Sequence, residues 1–101
     1  MSVILARLRN NCSNLNNDLF RNHIRTDSCC PHCGHIEDAE HYFFKCTTYR
    51  TQRLTLFNST RSFHPLSTHR LLYGDERLSH VSNIIIVKAV QYYIKESKRF
   101  A

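Results

Sequence analysis

Residues 29–46 read CCPHCGHIEDAEHYFFKC, and the predicted fold is organised around this stretch. It holds a Cys-x2-Cys pair, Cys30 and Cys33, followed after seven residues by a His-x4-Cys pair, His41 and Cys46. Zinc prefers four tetrahedral nitrogen and sulfur ligands, and a Cys-x2-Cys turn presents two thiolates from one tight loop. We therefore predict one structural Zn²⁺ held by Cys30, Cys33, His41 and Cys46.

The same stretch offers alternative ligands. Cys29 can replace Cys30 as the first ligand, and His32 or His35 can compete for a place. We prefer Cys30 because it has the familiar two-residue spacing to Cys33. Four protein ligands close the coordination sphere, so a metal held in this way stabilises the fold and leaves no open position for a substrate.

The spacing of the second pair constrains the backbone. On an α-helix five residues advance about 500°, so the side chains of His41 and Cys46 would point about 140° apart. An unbroken helix therefore cannot direct both at one ion. The acidic run 37–40 suits a helix N-terminus, and the helix that it starts must end or kink between Phe44 and Cys46.

Before this stretch, residues 1–25 form a helical N-terminal part. Helical spacing predicts a short helix over residues 2–9 and a second helix that begins with Ser13 as its N-cap. Cys12, between them, is expected to be a small buried apolar residue. One face of the second helix is expected to carry Leu15, Leu19, Phe20, His23 and Ile24.

After it, residues 47–101 form a helical C-terminal part. Helices are predicted over residues 47–58, 66–73 and 79–99, with Gly74 as the C-cap of the middle one. The inward side chains of the first are expected to be Tyr49, Leu54, Leu56 and Phe57. The predicted fold is mainly α: residues 1–101 form a single small helical domain, organised around one zinc-knuckle-like turn in residues 29–46 and without substantial sheet.

The last predicted helix is apolar over most of its circumference. Its polar residues form a single stripe, Lys88, Gln91, Lys95 and Lys98. Such a helix needs burial on several sides. It is either the central helix of the core or a face prepared for a missing partner, which would dock, or self-associate, through residues 81–94.

Charge and composition narrow the class of protein. Lys and Arg number 14 against 8 Asp and Glu, giving a formal charge of +6, and ten of the 14 are Arg. This balance permits contact with nucleic acid. No apolar run reaches the roughly 18 residues of a membrane span. We expect an intracellular protein, nuclear or cytoplasmic, with reduced cysteines. The sequence shows no phosphate loop, nucleophile motif or Asp cluster, so we expect no enzyme.

Three stretches carry a family resemblance. They are residues 8–20, the Cys-x2-Cys-Gly turn with Glu37–Cys46 after it, and the ending formed by residues 71–75 and 88–100. Together they resemble the C-terminal zinc-binding region of non-LTR retrotransposon reverse transcriptases of the jockey-like group. The resemblance covers nearly the whole chain, and it implies the same four zinc ligands.

The resemblance also implies a function. It suggests a zinc-stabilised accessory domain that grips RNA or DNA, without polymerase activity of its own, because the family's endonuclease and polymerase motifs are not in these 101 residues. Two alternatives stay open: a protein-interaction module that docks through the last helix, and a truncated retroelement relic with no selected function. The basic side chains proposed to meet phosphates are Arg50, Arg53, Arg61, Arg70, Lys95, Lys98 and Arg99.

Overall fold

The computed structural model describes residues 3–100, and in this range the chain is mainly helical. Strand-type pairing among the described residues is limited to one antiparallel bridge, between Cys29 and Ile36. The predicted fold class, mainly α without substantial sheet, is confirmed. The α-helices, labelled α1 to α5 in chain order, span Val3–Arg9, Asn16–Arg21, Arg50–Ser59, Thr68–Tyr73 and His80–Ser97. A π-helical turn spans His41–Lys45, and 3₁₀ turns span Thr47–Tyr49 and Arg61–Phe63.

The chain divides into two compact units, Met1–Arg50 and Thr51–Ala101. The first unit contains α1, α2 and the Cys-rich stretch and ends at Arg50, the first residue of α3, and the second contains the rest of α3, with α4 and α5. The organisation of residues 1–101 as one domain stays a prediction. No helix in the described part of the chain is long and apolar enough to cross a bilayer.

In the first unit, α2 begins later than Ser13, so the prediction of Ser13 as its N-cap is wrong. Ser13 is buried, and its backbone N and its Oγ both donate to the Asp18 carboxylate, at 3.1 and 2.6 Å. The Ser13 Oγ in turn accepts from the backbone N of Leu15 at 3.2 Å. Residues 13–15 therefore form a turn whose polar groups contact the Asp18 side chain. The helix starts directly after this turn, at Asn16.

The apolar face predicted for α2 is also only partly correct. Leu15 is fully buried, but the helix ends at Arg21, and His23 takes a left-handed φ of 62°. Phe20 and Ile24 are 45% and 70% exposed. Cys12, expected in the core, is exposed too. Helical spacing alone therefore overestimated how far the helix continued.

In the second unit, α3 buries Leu56 but leaves Leu54 60% exposed, which corrects the inward position predicted for Leu54. α4 and α5 both begin at a serine cap: the Oγ of Ser67 accepts from the backbone N of Arg70, and that of Ser79 accepts from Ser82 N. The predicted C-cap Gly74 ends α4 with a φ of 75°. These caps explain why the last two helices lie close to their predicted ranges.

The link between α4 and α5 is held by Asp75. Its carboxylate accepts from Arg70 at 2.7 Å and from Arg77 at 2.9 Å. The backbone N of Asp75 donates to Asn83 Oδ1 at 2.9 Å, and its carbonyl accepts from Asn83 Nδ2 at 3.0 Å. The turn after α4 is therefore attached to the first turns of α5 by polar contacts on both sides.

Candidate metal centre

The structure brings together the four side chains that the sequence pattern selected. One ligand atom from each of Cys30, Cys33, His41 and Cys46 lies within 4.8 Å of the other three. Cys33 Sγ lies 3.2 Å from His41 Nε2, and Cys30 Sγ lies 3.9 Å from Cys46 Sγ. With Zn–S near 2.3 Å and Zn–N near 2.0 Å, neighbouring donors of a zinc tetrahedron are about 3.5–3.8 Å apart. The donor set therefore fits a single metal ion.

The first pair sits on a tight turn closed by the backbone. Cys30 N donates to the carbonyl of His35 at 2.6 Å, and Gly34 N donates to the carbonyl of Cys30 at 2.9 Å. Gly34 has a φ of 75°, a conformation that residues with a Cβ rarely adopt. This geometry turns the chain back directly after Cys33.

Cys29 is not one of the four clustered residues, although it precedes Cys30. It lies at the bridge with Ile36, and its backbone N donates to Asp27 Oδ1 at 2.9 Å. Its carbonyl accepts from Asn16 Nδ2 at 2.7 Å. The Asp27 carboxylate also raises the pKa of the Cys29 thiol. The geometry therefore favours Cys30 over Cys29 as the first ligand.

The second pair is positioned by the π-helical turn. The prediction that the helix must end before Cys46 is confirmed, because the turn stops at Lys45 and Cys46 is extended. The backbone N of Cys46 donates to the carbonyl of His41 at 2.8 Å. This five-residue closure is that of a π-helix, and it returns Cys46 to the side of the turn that carries His41. Asp38 Oδ1 fixes the start of the turn by accepting from His41 N at 2.8 Å.

The cluster is shielded from water. Cys30, His41 and Cys46 are buried, and Cys33 is half-buried. Burial raises the pKa of the Cys30 thiol to about 11, because a thiolate loses its hydration there. A bound cation reverses this preference by stabilising the thiolate, so metal binding at this site releases protons.

One residue of the site was assigned the wrong role from the sequence. Glu37 was expected to supply charge to a helix N-terminus, but it precedes the helix and is 1% exposed. Its Oε1 accepts from Asn16 N at 2.8 Å, and its carbonyl accepts from Asn17 N at 3.0 Å. Its backbone N donates to the carbonyl of Ser28 at 2.9 Å. Glu37 therefore ties the Cys-rich turn to α2, a contact between distant residues that no local pattern signals.

The basic residues proposed for nucleic-acid contact differ in their surroundings. Arg50 and Arg61 are exposed, and so are Lys95 and Lys98 at the end of α5. Arg53 is half-buried and lies three residues after Arg50 on α3.

Two further basic residues make local contacts. Arg99 lies over the ring of Phe100, 5.6 Å from its centroid. The Arg70 guanidinium contacts Asp75 and donates to the carbonyls of Phe63 and Pro65, at 2.6 and 3.1 Å. Arg70 therefore has a structural role in the second unit.

Comparison of the chain with protein-family models, with curated proteins and with solved structures finds no match. The fold and the site together define a small helical protein with a Cys3His cluster suited to one metal ion.

Proposed function

We propose that the cluster of Cys30, Cys33, His41 and Cys46 holds one structural Zn²⁺. The observation that carries this proposal is the convergence of three sulfurs and one imidazole nitrogen within 4.8 Å. Three thiolates and one imidazole form a donor set typical of tetrahedral zinc. All four positions are filled by the protein, so the ion stabilises the first unit and supports no catalysis.

Metal analysis of the reduced, purified chain tests this proposal. We expect one zinc per chain. We also expect a chelator to remove the ion and, with it, the contribution of the first unit's helices to the circular dichroism signal, because the binding energy of the metal is part of the folding energy. Replacement by Co²⁺ should give the visible absorption of a tetrahedral sulfur-rich site. A reduced, folded protein that takes up no divalent metal would refute the proposal.

We further propose that the zinc-held chain is a nucleic-acid-binding accessory domain without polymerase activity, derived from the C-terminal end of a retrotransposon reverse transcriptase. A formal charge of +6 and the exposed basic residues Arg50, Arg61, Lys95 and Lys98 support it. Its family assignment rests on the resemblance of Glu37–Cys46 and the flanking stretches. A metal site with three thiolates also suits a reducing compartment, nuclear or cytoplasmic.

Binding to single-stranded RNA and to duplex DNA at 50 and 200 mM salt tests the second proposal. Phosphate contacts release counterions, so the affinity should fall steeply with salt. Replacing Arg50 and Arg61 by Gln should weaken binding. It should also reduce the slope of the logarithm of the binding constant against the logarithm of the salt concentration, by about one for each phosphate that the variant no longer neutralises.

The matched control is Arg21→Gln, which removes the same charge from an exposed residue outside the proposed set. It should weaken binding less than either Arg50→Gln or Arg61→Gln. Affinity no higher than that of an unrelated protein of equal net charge would contradict a nucleic-acid function and leave the zinc proposal intact.

A further inference from the structure

The helix α5 is buried on one side only. Its buried residues are Ile86, Val90, Tyr93 and Ile94. The other side exposes apolar side chains: Val81 and Tyr92 are 67% and 52% exposed, and Ile84 and Ile85 are 38% and 41% exposed. At about 100° per residue, these exposed side chains fall within an arc of about 100°. They form one strip along about three turns of the helix.

Two lysines lie in the same strip. Lys88 and Lys95 are both exposed, and they project between the angular positions of Ile84 and Val81. The single acidic residue of α5, Glu96, is half-buried and lies outside this arc. We call this strip the outer face of α5, defined by Val81, Ile84, Ile85, Lys88, Tyr92 and Lys95. Its chemistry is apolar and cationic, with no acid of its own.

The outer face is bordered by a concave surface. A cavity of about 310 Å³ runs along one edge of α5, lined by His80, Asn83, Ile84, Val87, Lys88 and Gln91. Its volume is at the lower end of the range for small-molecule sites. Its lining comes from successive turns of one helix, which suits the side chains of a segment lying along α5.

Charge decides between the occupants of this face. In a parallel pairing of two copies, Lys88 and Lys95 would each face their own counterparts, and like charges across an interface are costly. In an antiparallel pairing each lysine would face a lysine or an apolar side chain, because the outer face contains no acid. A nucleic acid would satisfy Lys88 and Lys95 but would leave the aliphatic side chains of Val81, Ile84 and Ile85 without apolar contact. Only a partner that is both apolar and acidic complements all six residues. An anionic lipid surface meets this condition too, but it offers no side chains to fill the cavity beside Ile84 and Lys88, whereas a helix lying along α5 does.

We propose that the outer face of α5 binds an amphipathic helix of another protein. The apolar stripe of that helix packs on Val81, Ile84, Ile85 and Tyr92, and its Asp or Glu side chains pair with Lys88 and Lys95. Anchors at i, i+3, i+4 and i+7 are the usual pattern of helix recognition on such a surface. This function goes beyond nucleic-acid binding, and it shares only Lys95 with the residues proposed to contact nucleic acid.

Selection from a displayed library of 16-residue helical peptides, on the reduced and zinc-supplied full chain, tests the proposal. We expect the selected peptides to carry apolar residues at helical spacing together with an excess of Asp and Glu. The double substitution Lys88→Glu and Lys95→Glu should weaken their binding at least tenfold. Peptides in which the acids are replaced by Lys should bind that double variant better than the original chain.

Ile85→Ser should also weaken binding at least tenfold, whereas Leu54→Ser, at the exposed leucine of α3, should leave it unchanged. Both substitutions lie on exposed positions, and circular dichroism verifies that each variant folds. The proposal is overturned if the library yields no helical binder, or if the binders ignore the charge reversal. It is also overturned if the face has a different occupant. That result would be seen if Ile85→Ser abolished homodimer formation, binding to phosphatidylserine vesicles or binding to an RNA oligonucleotide.

Discussion

Cys33 Sγ and His41 Nε2 lie 3.2 Å apart, although seven residues separate them along the chain. The contact joins the tight turn at Gly34 to the π-helical turn that begins at His41. Each of these segments is fixed by its own backbone hydrogen bonds. The donor atoms are therefore arranged by the backbone for a single ion, and each donor can be tested separately.

The choice between Cys29 and Cys30 gives the first prediction. Cys30→Ser should lower the bound zinc well below one per chain and reduce thermal stability, because the variant loses a thiolate of the cluster. Cys29→Ser should keep full zinc, since Cys29 lies outside the cluster. Metal analysis and thermal unfolding of the two variants, prepared side by side, measure both effects. The opposite result would assign the first ligand to Cys29.

The second prediction concerns the buried Glu37. Glu37→Ala leaves the backbone N of Asn16 without the acceptor that Glu37 Oε1 provides at 2.8 Å. An unpaired buried donor costs about 1–3 kcal/mol, so the free energy of unfolding should fall by about that amount. Urea unfolding at a fixed free zinc concentration measures it, because bound metal contributes to the apparent stability.

Glu37→Gln is the matched variant for this measurement. Its side-chain carbonyl can still accept from Asn16 N, so it should lose less stability than Glu37→Ala. Equal losses in the two variants would show that the acceptor at this position is not what stabilises the turn.

The sequence predicted those parts of the fold that depend on local chemistry. Ser79 marks the start of α5 because its hydroxyl accepts from the backbone N of Ser82. Gly74 marks the end of α4 because it takes the left-handed φ that turns the backbone. Both ends were predicted well. The donor cluster was predicted because tetrahedral metal sites draw their ligands from pairs at short spacing in the sequence. Ser13 and Glu37 were misassigned because their hydrogen-bond partners, Asp18 and Asn16, depend on how the chain packs and not on the neighbouring sequence. The π-helical turn was not predicted, although its break before Cys46 was.

The third prediction concerns the pH dependence of the link between α4 and α5. Hydrogen bonds from Arg77, its guanidinium first and then its backbone N, together with Arg70, hold the pKa of the Asp75 carboxyl well below its usual range. A carboxyl whose pKa is lowered in the folded state stabilises the fold above its unfolded pKa, about 3.9, and loses that contribution as the pH falls through the folded value.

Asp75→Asn should therefore lower the midpoint of thermal unfolding at neutral pH. The difference from the original chain should stay constant from pH 7 to about pH 5 and shrink below about pH 4, where the unfolded carboxyl takes up its proton. Differential scanning fluorimetry across this range gives the comparison. Arg21→Gln, which lies outside this network, should show no such dependence; a difference that grew on acidification would contradict the ion-pair account.

The last prediction compares the two glycines. Both have a φ of 75°, which disfavours any residue with a Cβ. At Gly34 an added Cβ meets nothing within 4 Å, whereas at Gly74 it would lie 2.7 Å from Asn83 Oδ1. That oxygen accepts from Asp75 N, so it cannot move away without breaking the contact that attaches α4 to α5. Gly34→Ala should therefore cost about 1 kcal/mol of backbone strain, while Gly74→Ala should cost about 2–3 kcal/mol. Chemical unfolding of both variants measures the difference, and an equal cost at the two positions would mean that Asn83 yields without loss.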